Sequence, residues 1–157
     1  MERGYCRRRS RLSIVGFMIA LGLACASPAT AAGPNVDLRG ASDLETLANI
    51  NRYVNAQPWQ SDRERYGQRD HWASPAEFWA APAGGDCEDY ARAKQDLLVR
   101  HGLPRGEIVT FLSREVGRVH AVLRVPLDGV LWTLDNLKPT IEPWRTGPLF
   151  IVIKVVP

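Results

Sequence analysis

The 157-residue sequence predicts an α+β domain in which N-terminal helices pack on a small antiparallel sheet. Apolar residues recur at helical spacing as far as about Arg100, and the period changes to alternation after Pro104. The pair Asp128-Gly129 then gives the strongest short-range signal for a two-residue hairpin turn. The chain therefore changes from helices to antiparallel strands beyond its midpoint.

Each element has its own local signal. Ser42 and Ser74 are each followed three residues later by a glutamate, which is the capping-box pattern at a helix start. The stretch 57–72 is polar and aromatic, and it predicts a loop with one short helical turn. The predicted helices begin at Ser42, at Ser74 and at Cys87, and the last runs to about Arg100. The predicted strands cover 108–113, 119–125 and 130–135. A loop over 137–144 follows, and then a candidate edge strand over 150–156.

The N-terminus predicts a targeting segment. Five arginines between residues 3 and 11 precede an apolar run over 14–26, which is too short to span a bilayer comfortably. The small residues over 29–31 suit a signal peptidase. We therefore expect a signal peptide over 1–32, a domain over 33–157 and a periplasmic location.

Removing this leader changes two conclusions from bulk composition. The whole chain carries 20 basic and 17 acidic residues, but the leader holds five of the basic and one of the acidic ones, which leaves a net charge of −1. The remaining sequence has no charge pattern that indicates binding to nucleic acid or to a membrane. Cys6 and Cys25 also leave with the leader, so Cys87 becomes the one cysteine of the exported domain. An unpaired thiol in an oxidising compartment favours a functional interpretation.

Cys87 lies in the sequence Gly-Gly-Asp-Cys-Glu-Asp-Tyr over 84–90. The glycines permit a sharp turn and a close approach of the main chain to a ligand, and Asp86 can cap the helix that follows. A thiol at a helix N-terminus has its anion stabilised, and its pKa can fall from about 8.5 to roughly 3.5–7.5. The alternative is a turn and cap beside a small buried hydrophobic residue.

The hairpin register places two further residues. If Asp128 and Gly129 form the turn, His120 and Asp135 lie on one face of the hairpin, diagonal to each other at about 7–8 Å between α-carbons. The simplest partner of each is the other, since unpaired buried polar groups are costly. His120 can then serve as base and acid for the Cys87 thiol, with Asp135 fixing its tautomer. The alternative is a core histidine hydrogen-bonded to an aspartate.

Four stretches resemble the bacterial transglutaminase-like cysteine proteases: 72–77 (WASPAE), 85–94 (GDCEDYARAK), the strand histidine His120, and 134–137 (LDNL). The resemblance covers 51–144. It implies a papain/transglutaminase-like fold and cysteine peptidase activity, and it assigns nucleophile, base and orienting acid to the same Cys87, His120 and Asp135.

The resemblance also implies a calcium site. In adhesin-processing members of this family the acids on either side of the cysteine bind Ca²⁺, and these positions are Asp86 and Glu88, with Asp89 as a secondary candidate. Carboxylate and carbonyl oxygens are the ligands that Ca²⁺ prefers. Three acids beside a thiolate would raise its pKa, and a bound cation would restore a favourable field. Helix capping alone also accounts for these acids.

The family's adhesin-processing members cut a large surface adhesin after paired small residues and are restrained by an inner-membrane receptor. This implies a protein substrate and a regulatory receptor as partners. Two alternatives remain open at this stage. One is acyl transfer to an amine, as in transglutaminases, and the other is a non-catalytic module that binds calcium or a partner through Asp86 and Glu88.

Overall fold

A computed structural model describes residues 33–80, 82–114, 117–145 and 152–156. The predicted signal peptide lies outside these ranges, as does the start of the predicted last strand. The α+β class is confirmed. The helices are α1 Asp43–Asn55, α2 Asp62–Tyr66, α3 Pro75–Trp79 and α4 Cys87–Arg100, and the strands are β1 Glu107–Ser113, β2 Arg118–Leu127, β3 Val130–Leu134, β4 Glu142–Pro143 and β5 Val152–Val156.

The helices begin where their capping signals predict. The Ser42 hydroxyl accepts a hydrogen bond from the main-chain N–H of Glu45, and Ser74 and Glu77 form a reciprocal capping box. The short turn expected in the 57–72 segment is α2, which begins with a reciprocal capping box of Ser61 and Glu64. In the part of the chain that the structure describes, no helix has both the length and the apolar character needed to cross a membrane.

The five strands form one antiparallel sheet in the order β4-β3-β2-β1-β5. The predicted hairpin register is confirmed, because Leu127 pairs with Val130 and Leu123 with Leu134. Asp128 and Gly129 both have positive φ, as a two-residue turn of this kind requires.

The prediction of a plain loop over 137–144 is wrong at one point. The chain returns beside β3 and forms β4, where Pro143 pairs with Trp132. Proline is tolerated there because an edge strand has one side on which no N–H group is required.

The helices cover one face of the sheet. Buried apolar side chains from α1, α3, α4, β1, β2 and β3 form the main core, and Val109, Phe111 and Val122 form a smaller cluster with Trp144 on the other face. Because α4 packs against β2, its N-terminus lies beside the strand that carries His120. This packing brings together the two halves of the predicted site.

Candidate active site

The turn before α4 is held by the 57–72 segment. Gly84 has φ +124°, and a β-carbon there would lie 2.0 Å from the carbonyl oxygen of Pro58. The main chain at Gly84 therefore lies close to Pro58, and its expected approach to a ligand stays a prediction. The carbonyl of Gly84 accepts from the Arg65 guanidinium, and that of Gly85 accepts from the N–H of Gln60 at 2.9 Å. These hydrogen bonds hold the 57–72 segment against the start of α4.

Cys87 is the first residue of α4 and is partly buried. Its S–H group donates to Oε2 of Glu88 at 3.0 Å, and its sulfur accepts from the main-chain N–H of Ala121, the residue after His120. Burial first, and the Glu88 carboxylate second, raise the pKa of the thiol well above its usual range. The predicted lowering of this pKa by the helix is thus wrong for the protein without a bound cation, because burial and the neighbouring acid outweigh the dipole.

His120 and Asp135 form the predicted pair. His120 Nε2 lies 2.9 Å from Asp135 Oδ1, which also accepts the N–H of Leu137 at 2.9 Å, and the two side chains are 6% and 13% exposed. Burial alone would raise the pKa of Asp135, but the hydrogen bond and charge of His120, with smaller effects of Leu137 and Lys94, bring it below its usual value. An ionised Asp135 accepts the Nε2 proton and leaves Nδ1 of His120 as the basic nitrogen.

One cavity of about 540 Å³ joins the two halves of the site, since both Cys87 and His120 line it. His120 also lines a second cavity of about 330 Å³, on the side that carries Asp135 and Trp144. The structure thus places His120 in contact with Asp135. It places the sulfur of Cys87 against the main-chain N–H of Ala121, the residue after His120. The thiol itself bonds to Glu88 and Ala121 and not to His120.

The acids at α4 belong to a larger group that sequence reasoning did not find. Asp62 and Asp70, from the 57–72 segment, bring carboxylate oxygens within 4.8 Å of Glu88, and Asp62 is equally close to Asp86. We call Asp62, Asp70, Asp86 and Glu88 the acid cluster. No local pattern identifies Asp62 or Asp70, because their positions depend on how this segment folds back onto α4.

None of the ion pairs of the described residues involves the acid cluster. Burial first, and Glu88 second through its charge and a hydrogen bond, raise the pKa of Asp86 to about 9. Within the described residues, Oδ1 of Asp62 and Oδ1 of Asp86 are buried without a hydrogen-bond partner. Unpartnered carboxylate oxygens that converge in this way suit a hard divalent cation. The residues present therefore fit the calcium that the family resemblance implies.

Asp89 is placed differently. It is fully buried, and its two oxygens accept main-chain N–H groups from Ala73 at 2.7 Å and Asp86 at 3.4 Å. Burial is the main reason that its pKa rises to about 6. Asp89 lies near Asp62 and Asp86, and it already ties the chain before α3 to the first turn of α4.

A partly buried thiol at a helix start, beside a strand histidine hydrogen-bonded to an aspartate, is the arrangement expected of a papain/transglutaminase-like cysteine peptidase. The model of the family described as bacterial transglutaminase-like cysteine proteinase matches residues 23–154, and the chain belongs to this family.

Solved structures give a consistent result. The chain is similar to LapG of Legionella pneumophila in a calcium-bound form, with TM-score 0.59 and 29% identity over 71% of this chain and 63% of that one. An EGTA-treated form of that LapG matches with TM-score 0.58 and 28% identity, over 71% and 61% of the two chains. The chain thus spans less than two thirds of the LapG chains. A search of curated proteins found no match.

Proposed function

We propose that this chain is an exported cysteine endopeptidase in which Cys87 is the nucleophile, His120 the acid-base group and Asp135 the orienting acid. The observation that carries the proposal is the His120–Asp135 hydrogen bond of 2.9 Å. The Cys87 thiol lies beside it, because its sulfur accepts from the main-chain N–H of Ala121, the next residue of β2. A nucleophile, a base and a group that orients the base are the three parts that thiol catalysis requires.

In the proposed reaction, Nδ1 of His120 takes the proton of Cys87, and Sγ attacks the carbonyl carbon of the scissile peptide bond. The S–C bond forms, the C–N bond breaks, and His120 gives the proton to the leaving amine. Water then attacks the thioester and passes a proton through His120 back to the sulfur as the S–C bond breaks. The free N–H of Cys87, in the first turn of α4, is the proposed donor to the oxyanion.

We further propose that Asp86 and Glu88 hold Ca²⁺ together with Asp62 and Asp70. The support is the set of unpartnered carboxylate oxygens in the acid cluster, together with the calcium-bound state of the similar LapG. Asp89 remains a secondary candidate, because its oxygens already accept main-chain N–H groups. When bound, the cation would supply a positive field beside the thiol and would compete with the S–H group for the Glu88 carboxylate.

A protein substrate suits the surface around Cys87. Four large apolar side chains that line the same cavity are about half exposed: Trp59, Val119, Leu137 and Ile153. Exposed apolar residues around a cleft favour contacts with an extended polypeptide. With the predicted leader, this supports a periplasmic peptidase that cuts an exported or surface protein, and the family resemblance adds a large adhesin as the example and an inner-membrane receptor as the regulator.

The test is cleavage of the N-terminal segment of an adhesin from the same genome, with calcium present. Cys87→Ala should lower the rate by about 10⁴-fold or more, whereas Val99→Ala, on the exposed face of the same helix, should leave it unchanged. Cleavage that survives Cys87→Ala would contradict the proposal. A labelled amine that becomes attached to the new carboxyl terminus would identify acyl transfer instead of hydrolysis.

A further inference from the structure

The cavity of about 330 Å³ lies on the face of the sheet away from the helices, and the mechanism above does not use it. We call it the far-face cavity. Phe111, Val122 and Trp144 line it, and the first two are buried, at 6% and 2% exposed. His120 and Asp135 line it as well. Ligand pockets combine apolar walls with a few polar groups in this way, and their volumes begin at roughly 300 Å³.

One wall of the far-face cavity is fixed by contacts from outside. The main-chain N–H of Trp144 donates to the carbonyl of Leu131 at 2.6 Å, and the Arg124 guanidinium lies 5.4 Å from the centre of the indole ring. Arg124 itself pairs with Glu107. The ring of Phe111 meets that of Trp144 edge-on, with 6.5 Å between ring centres. The cavity therefore has a preformed aromatic wall, which reduces the entropy cost of binding a ligand.

The charges of the far-face cavity, apart from the His120–Asp135 pair, lie at its mouth. They belong to Arg114, Lys138, Glu142 and Arg145. Three of these residues are exposed, and Lys138, whose side chain is 42% exposed, pairs with Glu142 at 3.5 Å. An apolar group can thus enter the cavity without taking one of these four charges out of water.

The position of the far-face cavity relates it to one side of the scissile bond. His120 lines both this cavity and the cavity of about 540 Å³, whereas Cys87 lines only the larger one and Asp135 only the far-face one. In the proposed reaction the sulfur keeps the acyl part of the substrate, and His120 gives its proton to the leaving amine. The chain that follows the scissile bond therefore passes His120 toward the far-face cavity.

We propose that the far-face cavity is a specificity subsite for a large apolar side chain, such as leucine or phenylalanine, from the first or second residue after the scissile bond. This inference rests on the proposed function above. The occupant is a substrate side chain because the cavity is continuous with the active site through His120. Successive side chains of an extended chain point to opposite faces, about 3.3 Å apart, so one of these two residues faces the cavity.

The test compares peptides that carry the cleaved adhesin sequence with phenylalanine, leucine or alanine at the first or the second residue after the scissile bond. At one of the two positions, kcat/KM should be roughly 10- to 100-fold higher for phenylalanine or leucine than for alanine, because the larger side chain is removed from water. In Trp144→Ala this ratio should fall to about threefold or less, since the aromatic wall is lost.

The matched control is Trp132→Ala. Trp132 is also a partly buried tryptophan near this edge of the sheet, but it packs against the main core and lines neither cavity. Its replacement should keep the parent ratio.

A binding measurement needs no folded Trp144 variant. In Cys87→Ala, calorimetry with the uncleaved peptides should show roughly tenfold tighter binding of the phenylalanine or leucine peptide than of the alanine peptide.

The outcomes separate the two proposals. If cleavage requires Cys87, yet rates and affinities are equal for phenylalanine, leucine and alanine at both positions, the subsite is overturned alone. A preference that Trp144→Ala and Trp132→Ala leave equally intact overturns its assignment to the far-face cavity. If cleavage survives Cys87→Ala, the proposed function fails, and the subsite on the leaving side fails with it.

Discussion

Asp86 and Asp135 are two partly buried aspartates of one small domain, and their pKa values are shifted in opposite directions. Asp86 lies among other acids, so burial and Glu88 raise its pKa to about 9. Asp135 accepts a hydrogen bond from His120, and the hydrogen bond and charge of His120, with smaller effects of Leu137 and Lys94, outweigh burial and lower the pKa of Asp135. The difference shows that the acid cluster has no ion-pair partner among the described residues, whereas Asp135 is paired with His120. The first region suits a cation ligand site and the second suits catalysis.

The largest effect should come from neutralising Asp135. We expect Asp135→Asn to lower kcat/KM by about 10²- to 10⁴-fold, because an amide favours the wrong tautomer of His120. Steady-state cleavage with saturating calcium measures this. Asp128→Asn, in the hairpin turn, is the matched control and should keep the parent rate, because asparagine tolerates the positive φ at that position. Equal rates for the two variants would remove Asp135 from the mechanism.

Neutralising one residue of the acid cluster should weaken calcium binding more directly than it slows the catalytic steps. Asp86→Asn and Glu88→Gln should each weaken calcium binding by roughly 10- to 100-fold in calorimetric titration, and Asp62→Asn should weaken it as well, because each removes a charged ligand. The exposed Glu142→Gln is the control. Calcium affinity that none of the three substitutions changes would disprove the proposed ligand set.

A smaller effect is expected in the way the folding stability of the protein changes with pH. The folded-state pKa values of Asp86 and Asp89, about 9 and 6, lie above the unfolded value of roughly 3.9, so the stability they contribute is present at low pH and is lost as pH rises.

In chelator, the melting temperature should therefore rise by a few degrees between pH 7.5 and pH 5.5, mainly because Asp86 stays protonated in the folded protein while it is ionised in the unfolded chain, with a smaller part from Asp89 as it takes up its proton. Saturating calcium should flatten or reverse this trend, because protons then compete with the metal. The same trend with and without calcium would show that the acid cluster holds no cation. Differential scanning calorimetry at both pH values provides the measurement.

Local signals account for most of what the sequence predicted. The Ser-x-x-Glu patterns at Ser42 and Ser74 located two helix starts, and the Asp128-Gly129 turn gave the register from which the His120–Asp135 pair follows. These features depend on residues that are close in sequence or on one hairpin. The same logic gave the start of α4 at Cys87, since a capping residue and first-turn acids are also local.

What the sequence did not reveal depends on long-range packing. Asp62 and Asp70 join the acid cluster only because Arg65 and Gln60 tie the 57–72 segment to the glycine turn. The raised pKa of Cys87 depends in the same way on its burial against the sheet, which no helix-dipole argument includes. The resemblance to the family supplied the calcium expectation that periodicity could not.

The central claim is that His120 activates Cys87 when the acid cluster holds calcium. The most direct measurement is the rate of Cys87 alkylation against pH, in calcium and in chelator, for the parent protein and for His120→Ala. The account predicts rapid alkylation near pH 7 in calcium, with an apparent thiol pKa below about 8.5, and slower alkylation in chelator and in His120→Ala. One ordinary titration near 8.5, unaffected by chelator and by the loss of His120, would contradict it.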